Sequence, residues 1–166
     1  RSVARLATWA QTSALKKLDG VFAISPEIAE HLVGLGIDRD RMCVVDNFID
    51  VAAVTSAGFP GPGQAVIPLG SGVHIGLFGA LIRRKRIDIA LRGFASAIDA
   101  SEGTNVTLHI FGEGPLRSQL VRLTDQLGIS RQVVFHGFLA QPLPLMAQMD
   151  IVLLTSDYEG VPRSLM

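Results

Sequence analysis

From His74 onward, apolar runs of strand length alternate with longer stretches in which apolar residues recur at helical spacing. His74 to Leu81, Val106 to Phe111, Val133 to Phe135 and Ile151 to Leu154 read as strands. Between them, Ile87 to Asp99 sets Ile87, Leu91, Phe94 and Ile98 on one helical face. Pro115 opens a second helix with Leu116, Leu120, Leu123 and Leu127 in one stripe, and Gly128 stands where a left-handed cap belongs. A short helix is expected over Pro144 to Met149, and another begins at Pro162 to Met166. Strands apolar on both faces, separated by amphipathic helices, need a cover on each side. The expected fold is therefore α/β, a Rossmann-like parallel sheet with helices on both faces.

The first part of the chain repeats this grammar on a smaller scale. Arg1 to Leu18 has helical periodicity through Leu6, Trp9, Leu15 and Leu18, and Asp19-Gly20 stops it. Val21 to Ile24 is a strand, Ser25-Pro26-Glu27 supplies an N-cap, a first-turn proline and a carboxylate, and the helix they start ends near Gly34 to Gly36. Met42 to Val45 is a strand closed by a turn at Asp46-Asn47. Val51 to Gly72, with Phe59-Pro60-Gly61-Pro62-Gly63 inside it, has no sustained period and reads as an interdomain linker. The expected division is thus a first domain over 1–50, a linker over 51–72 and a second domain over 73–166.

Composition excludes rather than selects. Fifteen Lys plus Arg balance fifteen Asp plus Glu, so no net field favours nucleic acid, and any anion site must be a local cluster. The single cysteine, Cys43, lies in the apolar run Met42 to Val45 and reads as a buried structural thiol. No apolar run approaches the roughly 20 residues of a membrane span, and the expected location is cytoplasmic. The chain opens at Arg1 without methionine, which suggests a piece of something longer. No His/Cys/Asp/Glu cluster has metal-ligand spacing, so no metal site is expected.

In parallel α/β sheets, ligands sit outside the carboxyl ends of the strands, and four loops fall there. Arg83-Arg84-Lys85-Arg86 is either a diphosphate site or a solvated basic turn. Gly112-Glu113-Gly114-Pro115 permits close backbone approach to a phosphate or ribose, although a tight structural turn would look the same. His136-Gly137-Phe138 offers a glycine against which a flat base would lie, with Phe138 beside it; His136 itself reads as a structural histidine without a partner visible in the sequence. Ser156 to Pro162 sets Glu159 before a new helix, where it either complements the helix dipole or accepts hydrogen bonds from sugar hydroxyls.

In this order, these loops resemble those of the retaining glycosyltransferases of family 4, whose GT-B architecture is two facing Rossmann-like domains. The resemblance runs from Val21 to the end, through Ile24-Ser25, Val44 to Asp50, Phe78-Gly79-Ala80-Leu81, Lys85, Ile110 to Pro115, Val134 to Phe138 and Ser156 to Pro162. The family signature is two glutamates separated by seven residues; Glu159 is followed by Gly160 to Met166, so the second would come next and the sequence is expected to be truncated.

The resemblance implies transfer of a sugar, with retention and without a required metal or other cofactor. The donor would be a nucleotide diphosphate sugar (UDP- or GDP-sugar), and the acceptor a glycan or lipid-linked molecule held largely by the first domain. Glu159 would hold donor-sugar hydroxyls and Lys85 would neutralise the departing diphosphate. Gly79, Arg83, Arg84, Gly112, Gly114, Gly137, Phe138, Ser156, Gly160, Val161 and Pro162 would complete the donor site. The chain alone is expected to be inactive, and a peripheral membrane contact would belong to the longer protein. Two departures stand out: Ala80 replaces an expected arginine, for which Arg83 or Arg84 would substitute, and Phe48 and Arg86 replace glycines. Other GT-B enzymes, such as a nucleotide-sugar epimerase, and a nucleotide-binding module without catalysis are the competing readings.

Overall fold

The structure is a computed structural model that describes residues 12–45, 48–57, 67–100 and 105–159. Most of the expected first helix, the Asp46-Asn47 turn and the segment Gly160 to Met166, including Gly160, Val161 and Pro162, lie outside the described residues. The chain divides into two compact units, with the boundary along the sequence between Ile49 and Asp50.

In the first unit, β1 (Val21–Ala23) and β2 (Met42–Val44) pair in parallel, with Phe22 opposite Cys43. Between them α1 (Pro26–Gly34) starts as its sequence dictates: Ser25 is extended, its hydroxyl accepts a hydrogen bond from the Ile28 amide at 3.3 Å, and Pro26 occupies the first turn. Cys43 is exposed, contrary to the expectation of a buried thiol. It lies opposite the exposed Phe22, and an apolar run gives no sign of which face of a two-stranded sheet is covered.

The second unit opens with α2 (Val51–Ala57), where an aperiodic linker is expected. Seven residues are too few to display a 3.6-residue period, and alanine-rich Val-Ala-Ala-Val carries the helix by propensity, with the Val54 amide bonded to the Asp50 carbonyl. A four-stranded, all-parallel sheet follows in the order β5-β4-β3-β6. Its strands are β3 (Val73–Phe78), β4 (Val106–Phe111), β5 (Val133–Gly137) and β6 (Ile151–Val152). Helix α3 (Ile87–Ala100) joins β3 to β4, α4 (Arg117–Gln126) joins β4 to β5, and the short α5 (Leu143–Met146) precedes β6. Gly128 takes the expected positive φ, 72°, after α4.

Side chains alternate across the strands and give the sheet two unlike faces. Ile75, Leu77, Leu108, Ile110, Val133 and Phe135 point to one side, packed with Leu91 and Phe94 of α3 and Leu120 of α4. Leu91, Leu108 and Ile110 are wholly inaccessible, and each contributes on the order of 1.5–3 kcal/mol by burial. The other side was read from the sequence as equally apolar, but it carries a row of rings. Phe78 stacks on Phe111 at 4.5 Å, Phe111 on His136 at 4.5 Å, and His109 lies beside both. Met149 and the Phe78 ring both crowd Gly76 on this side, where a Cβ would stand 2.6 Å from each.

The histidines form a chain. His74 Nε2 lies 3.0 Å from the Gly70 carbonyl, His74 Nδ1 3.1 Å from His109 Nε2, and His109 Nδ1 2.9 Å from His136 Nε2. A carbonyl only accepts, so His74 donates from Nε2. With all three rings neutral, each next ring then donates from its own Nε2. Burial, followed by the neighbouring His136 and His74, pushes His109 down to about 4, and burial also lowers His136. His136 therefore has a partner after all, in a structural role.

Candidate functional site

The strand order places a switch point beside β3. The connections from β3 to β4 and from β4 to β5 proceed in one direction, and the chain then returns past both to set β6 on the opposite side of β3. At such a switch point of a parallel α/β sheet, ligands bind outside the carboxyl ends of the two strands, here β3 and β6. The loops leaving those two strands carry Lys85 and Glu159.

After β3 the chain makes a 3-10 turn over Arg83–Lys85. Such a turn has three residues per revolution, so successive side chains diverge by about 120°, and the four-cation run splits into four environments. Lys85 Nζ donates to Glu159 Oε1 at 2.5 Å. Arg84 Nη1 lies 3.4 Å from Glu159 Oε2 and 3.3 Å from the Tyr158 carbonyl, with its guanidinium 5.3 Å from the Tyr158 ring centre. Arg86 bonds Asp88 and Asp157. Arg83 lines a cavity of about 750 Å³ together with Arg86, Asp88 and Asp157 and with Leu116, Gln119 and Leu123 of the α4 region.

Glu159 is the hub. Its side chain is 16% exposed and Lys85 is 18% exposed, so the pair is shielded from bulk water without being sealed from it. Ser156 Oγ donates to the same Oε1 at 2.6 Å. The hydrogen bond from Lys85, then that from Ser156, holds the Glu159 carboxyl below the usual carboxylate range, so it is an acceptor-only group at neutral pH. Two cations against one carboxylate leave this cluster with surplus positive charge, suited to an anion. The carboxylate beside them is suited to hydroxyl donors.

Hydrogen bonds fix the two loops to each other. Thr155 Oγ1 donates to the Lys85 and Arg86 carbonyls at 3.0 and 3.1 Å, and the Asp157 amide donates to the Arg84 carbonyl at 2.9 Å. Arg86 has φ 46° and ψ 42°, a left-handed conformation that costs a residue with a Cβ about 1–2 kcal/mol.

The neighbouring strand ends contribute mostly backbone, with one ion pair between Arg117 and Glu113 at 3.8 Å. The Gly79 amide donates to the Phe111 carbonyl, the Leu81 amide to the Glu113 carbonyl and the Gly112 amide to the Gly137 carbonyl, which zips three loops together. Gly112 has φ 143°, and a Cβ there would overlap the Gly79 carbonyl oxygen; one on Gly114 would stand 2.5 Å from the Leu81 carbonyl oxygen. Both glycines are thus required by loop packing, whatever they bind. The Lys85 stem passes Gly79, and Gly137 with the 76% exposed Phe138 ends the row. Of the residues singled out in the sequence, Lys85, Glu159, Arg84 and Ser156 converge, with Gly79 beside Lys85. Arg83 lines the cavity, and Gly112, Gly114, Gly137 and Phe138 line the adjacent ends. Sequence reading missed Thr155, Asp157 and the clamp at Arg86, although a non-glycine residue between a basic run and Asp88 was a visible signal. Among the described residues, no group of three His, Cys, Asp or Glu stands close enough to hold a metal ion. No helix among them is long and apolar enough to cross a membrane.

Comparison with known proteins agrees with this geometry. The model of the family "Glycosyl transferases group 1" matches residues 72–166, more than half of the chain. Lipopolysaccharide core biosynthesis glycosyltransferase LpsD of Rhizobium meliloti is 31% identical over 140 residues, covering 82% of this chain and 36% of that protein. LpsE of the same organism is 28% identical over 151 residues, with 89% and 40% covered. The chain thus spans about two fifths or less of these relatives. Among solved structures, the lipopolysaccharide outer core galactosyltransferase WaaB superposes with a TM-score of 0.61 at 25% identity, covering 89% of this chain and 39% of that one. Anabaena Alr3699/HepE in complex with UDP-glucose superposes with a TM-score of 0.71 at 21% identity, covering 90% and 42%, and shares the GT-B fold. A parallel sheet with charge gathered at its switch point and a family match across that whole region lead to one assignment: this chain belongs to the group 1 glycosyl transferases.

Proposed function

We propose that the chain is the donor-binding part of a longer enzyme that transfers a sugar from a nucleotide diphosphate sugar to a glycan or lipid-linked acceptor, retaining the anomeric configuration. The observation that carries this reading is the Lys85–Glu159 pair at the switch point, with Arg84 on the same carboxylate. An entering diphosphate competes with Glu159 for Lys85 and Arg84, and the freed carboxylate oxygens accept hydrogen bonds from sugar hydroxyls. Lys85 then neutralises charge on the leaving diphosphate as the glycosidic bond breaks, where a preplaced cation contributes most. Arg84, not Arg83, is the better substitute for the arginine absent at Ala80, because it already shares Glu159. Ser156 orients the carboxylate, Phe138 offers an exposed ring to a base, Gly79, Gly112, Gly114 and Gly137 allow close approach of the main chain, and Gly160, Val161 and Pro162 continue the site after Glu159.

In this reading residues 1–50 belong to the acceptor-side domain, 51–72 connect, and 73–166 bind donor. The chain alone is inactive, since the acceptor side needs the remainder of a protein of its relatives' length. The transferase works in the cytoplasm, with any membrane contact peripheral and outside this chain. The relatives' lipopolysaccharide names and the UDP-glucose in the HepE complex support a sugar nucleotide and a glycan acceptor. The test is transfer by the full-length protein, supplied with UDP- and GDP-sugars in chelator, with product configuration read by NMR. Retained configuration without metal is expected. An inverted product, or activity that needs added metal, would overturn the mechanism.

A further inference from the structure

Arg86 presents a contradiction. It occupies a left-handed backbone conformation that suits glycine, and it stands at the junction between the 3-10 turn bearing Lys85 and the helix α3. A strained residue persists where its surroundings hold it, and those surroundings are two carboxylates on different elements. Arg86 Nε donates to Asp88 Oδ1 and Nη2 to Asp88 Oδ2, both at 3.2 Å, a forked pair anchored in the first turn of α3. Nη1 lies 2.9 Å from Asp157 Oδ1, on the loop that follows β6. One guanidinium therefore ties the start of α3 to the loop that carries Glu159, two residues beyond Asp157. Its planar fork pairs bidentately with Asp88 and still presents Nη1 to Asp157, a fixed geometry that an ammonium group, as a compact point charge, does not reproduce.

We propose that Arg86 is a positioning residue: it clamps the Glu159 loop to the Lys85 loop and keeps the two site residues in register when a ligand separates them. Without ligand, the Lys85–Glu159 pair itself helps to hold the loops. A bound anion that draws Lys85 away removes that tie, and the Thr155 and Asp157 main-chain bonds remain together with the Arg86 clamp. The clamp lies outside the pair that meets the donor, so it acts on geometry and touches no reacting atom. The kinetic part of this inference rests on the function proposed above; the structural part does not.

The decisive variants are Arg86→Gly, Asp157→Asn and the two combined, in the full-length protein. Glycine suits the backbone at this position, so Arg86→Gly is expected to leave the thermal midpoint unchanged or raised. Hydrogen exchange at the amides of 155–159 should accelerate about tenfold, and kcat should fall about tenfold with donor KM within about twofold, as small misplacements of reacting groups cost rate before binding. The double variant should lose no more than Arg86→Gly alone, because both changes break one link. Arg86→Lys should recover only part of the rate. Unchanged exchange in Arg86→Gly, or faster exchange with unchanged kcat, would overturn the inference, as would multiplicative losses in the double variant. If the wild-type protein transfers no sugar from any nucleotide donor, the proposed function fails instead, and the exchange experiment alone decides whether the clamp exists.

Discussion

The carboxyl ends of β3 and β6, and those of β4 and β5, lie along the same edge of one sheet, yet they are made of different materials. Among the described residues, the first pair carries the clustered ion pairs, Lys85 and Arg84 on Glu159 and Arg86 on Asp88 and Asp157, while the second has the single, longer Arg117–Glu113 pair at 3.8 Å. The second pair carries glycines in close main-chain contact, the exposed Phe138 and stacked rings. The difference follows from topology. Where crossovers diverge, the two loops are joined by the Thr155 hydroxyl and the Asp157 amide, and charged side chains reach from one loop to the other. Where successive crossovers run in one direction, main chain hydrogen-bonds to main chain between loops at a spacing that only glycine allows at Gly112 and Gly114.

Exchanging the demands of the two regions breaks the comparison most sharply at Lys85. Lys85→Ala should lower kcat about 10²–10³-fold, equivalent to roughly 3–4 kcal/mol of transition-state stabilisation, while barely moving the denaturation midpoint. Equal kcat in a steady-state assay would remove the switch point from the chemistry. The next effect belongs to the neighbouring ends. Gly112→Ala should destabilise the fold by about 2–3 kcal/mol in urea denaturation, because the new methyl meets main chain that cannot yield. Gly93→Ala, where a Cβ meets nothing within 4 Å on α3, is the control and should stabilise by about 1 kcal/mol. If Gly112 tolerated alanine as Gly93 does, the close packing of the second region would be wrong.

The smallest effect concerns the ring-bearing face under both regions. His109 and His136 have depressed folded-state pKa values, so the unfolded chain binds more protons in acid. Their contribution to stability is fully present above about pH 6.5 and is lost as the pH falls toward about 4, the value for His109. Denaturation at pH 7 and 5.5 should show a loss on the order of 1 kcal/mol from His109, reduced in His109→Asn. A midpoint indifferent to this change would mean that the histidine chain is not buried in the neutral form.

Much of this was legible in the sequence because period and punctuation are local. The strand-helix alternation after His74, the cap at Ser25 and the left-handed Gly128 each depend on a few adjacent residues, and each stands where expected. The loops at the carboxyl ends were legible too, since a parallel sheet dictates where to look. What stayed hidden depends on partners far along the chain. Four consecutive cations do not announce that a 3-10 turn will separate Arg83 from Arg84 and Lys85. His74, His109 and His136 are 35 and 27 residues apart, and only strand register joins them. The exposure of Cys43 and the helix at Val51–Ala57 escaped for the opposite reason, since these elements are too short for periodicity to speak.

The central claim is that Glu159 recognises the sugar of the donor while Lys85 recognises its diphosphate. Calorimetric titration of the full-length protein in chelator, comparing a nucleotide diphosphate sugar with the bare nucleoside diphosphate, separates these roles. Glu159→Ala should weaken binding of the sugar nucleotide about tenfold or more and leave the bare diphosphate unchanged or tighter, since its competitor for Lys85 is gone. Lys85→Ala should weaken both. Binding of the sugar nucleotide that is indifferent to Glu159 would contradict the account.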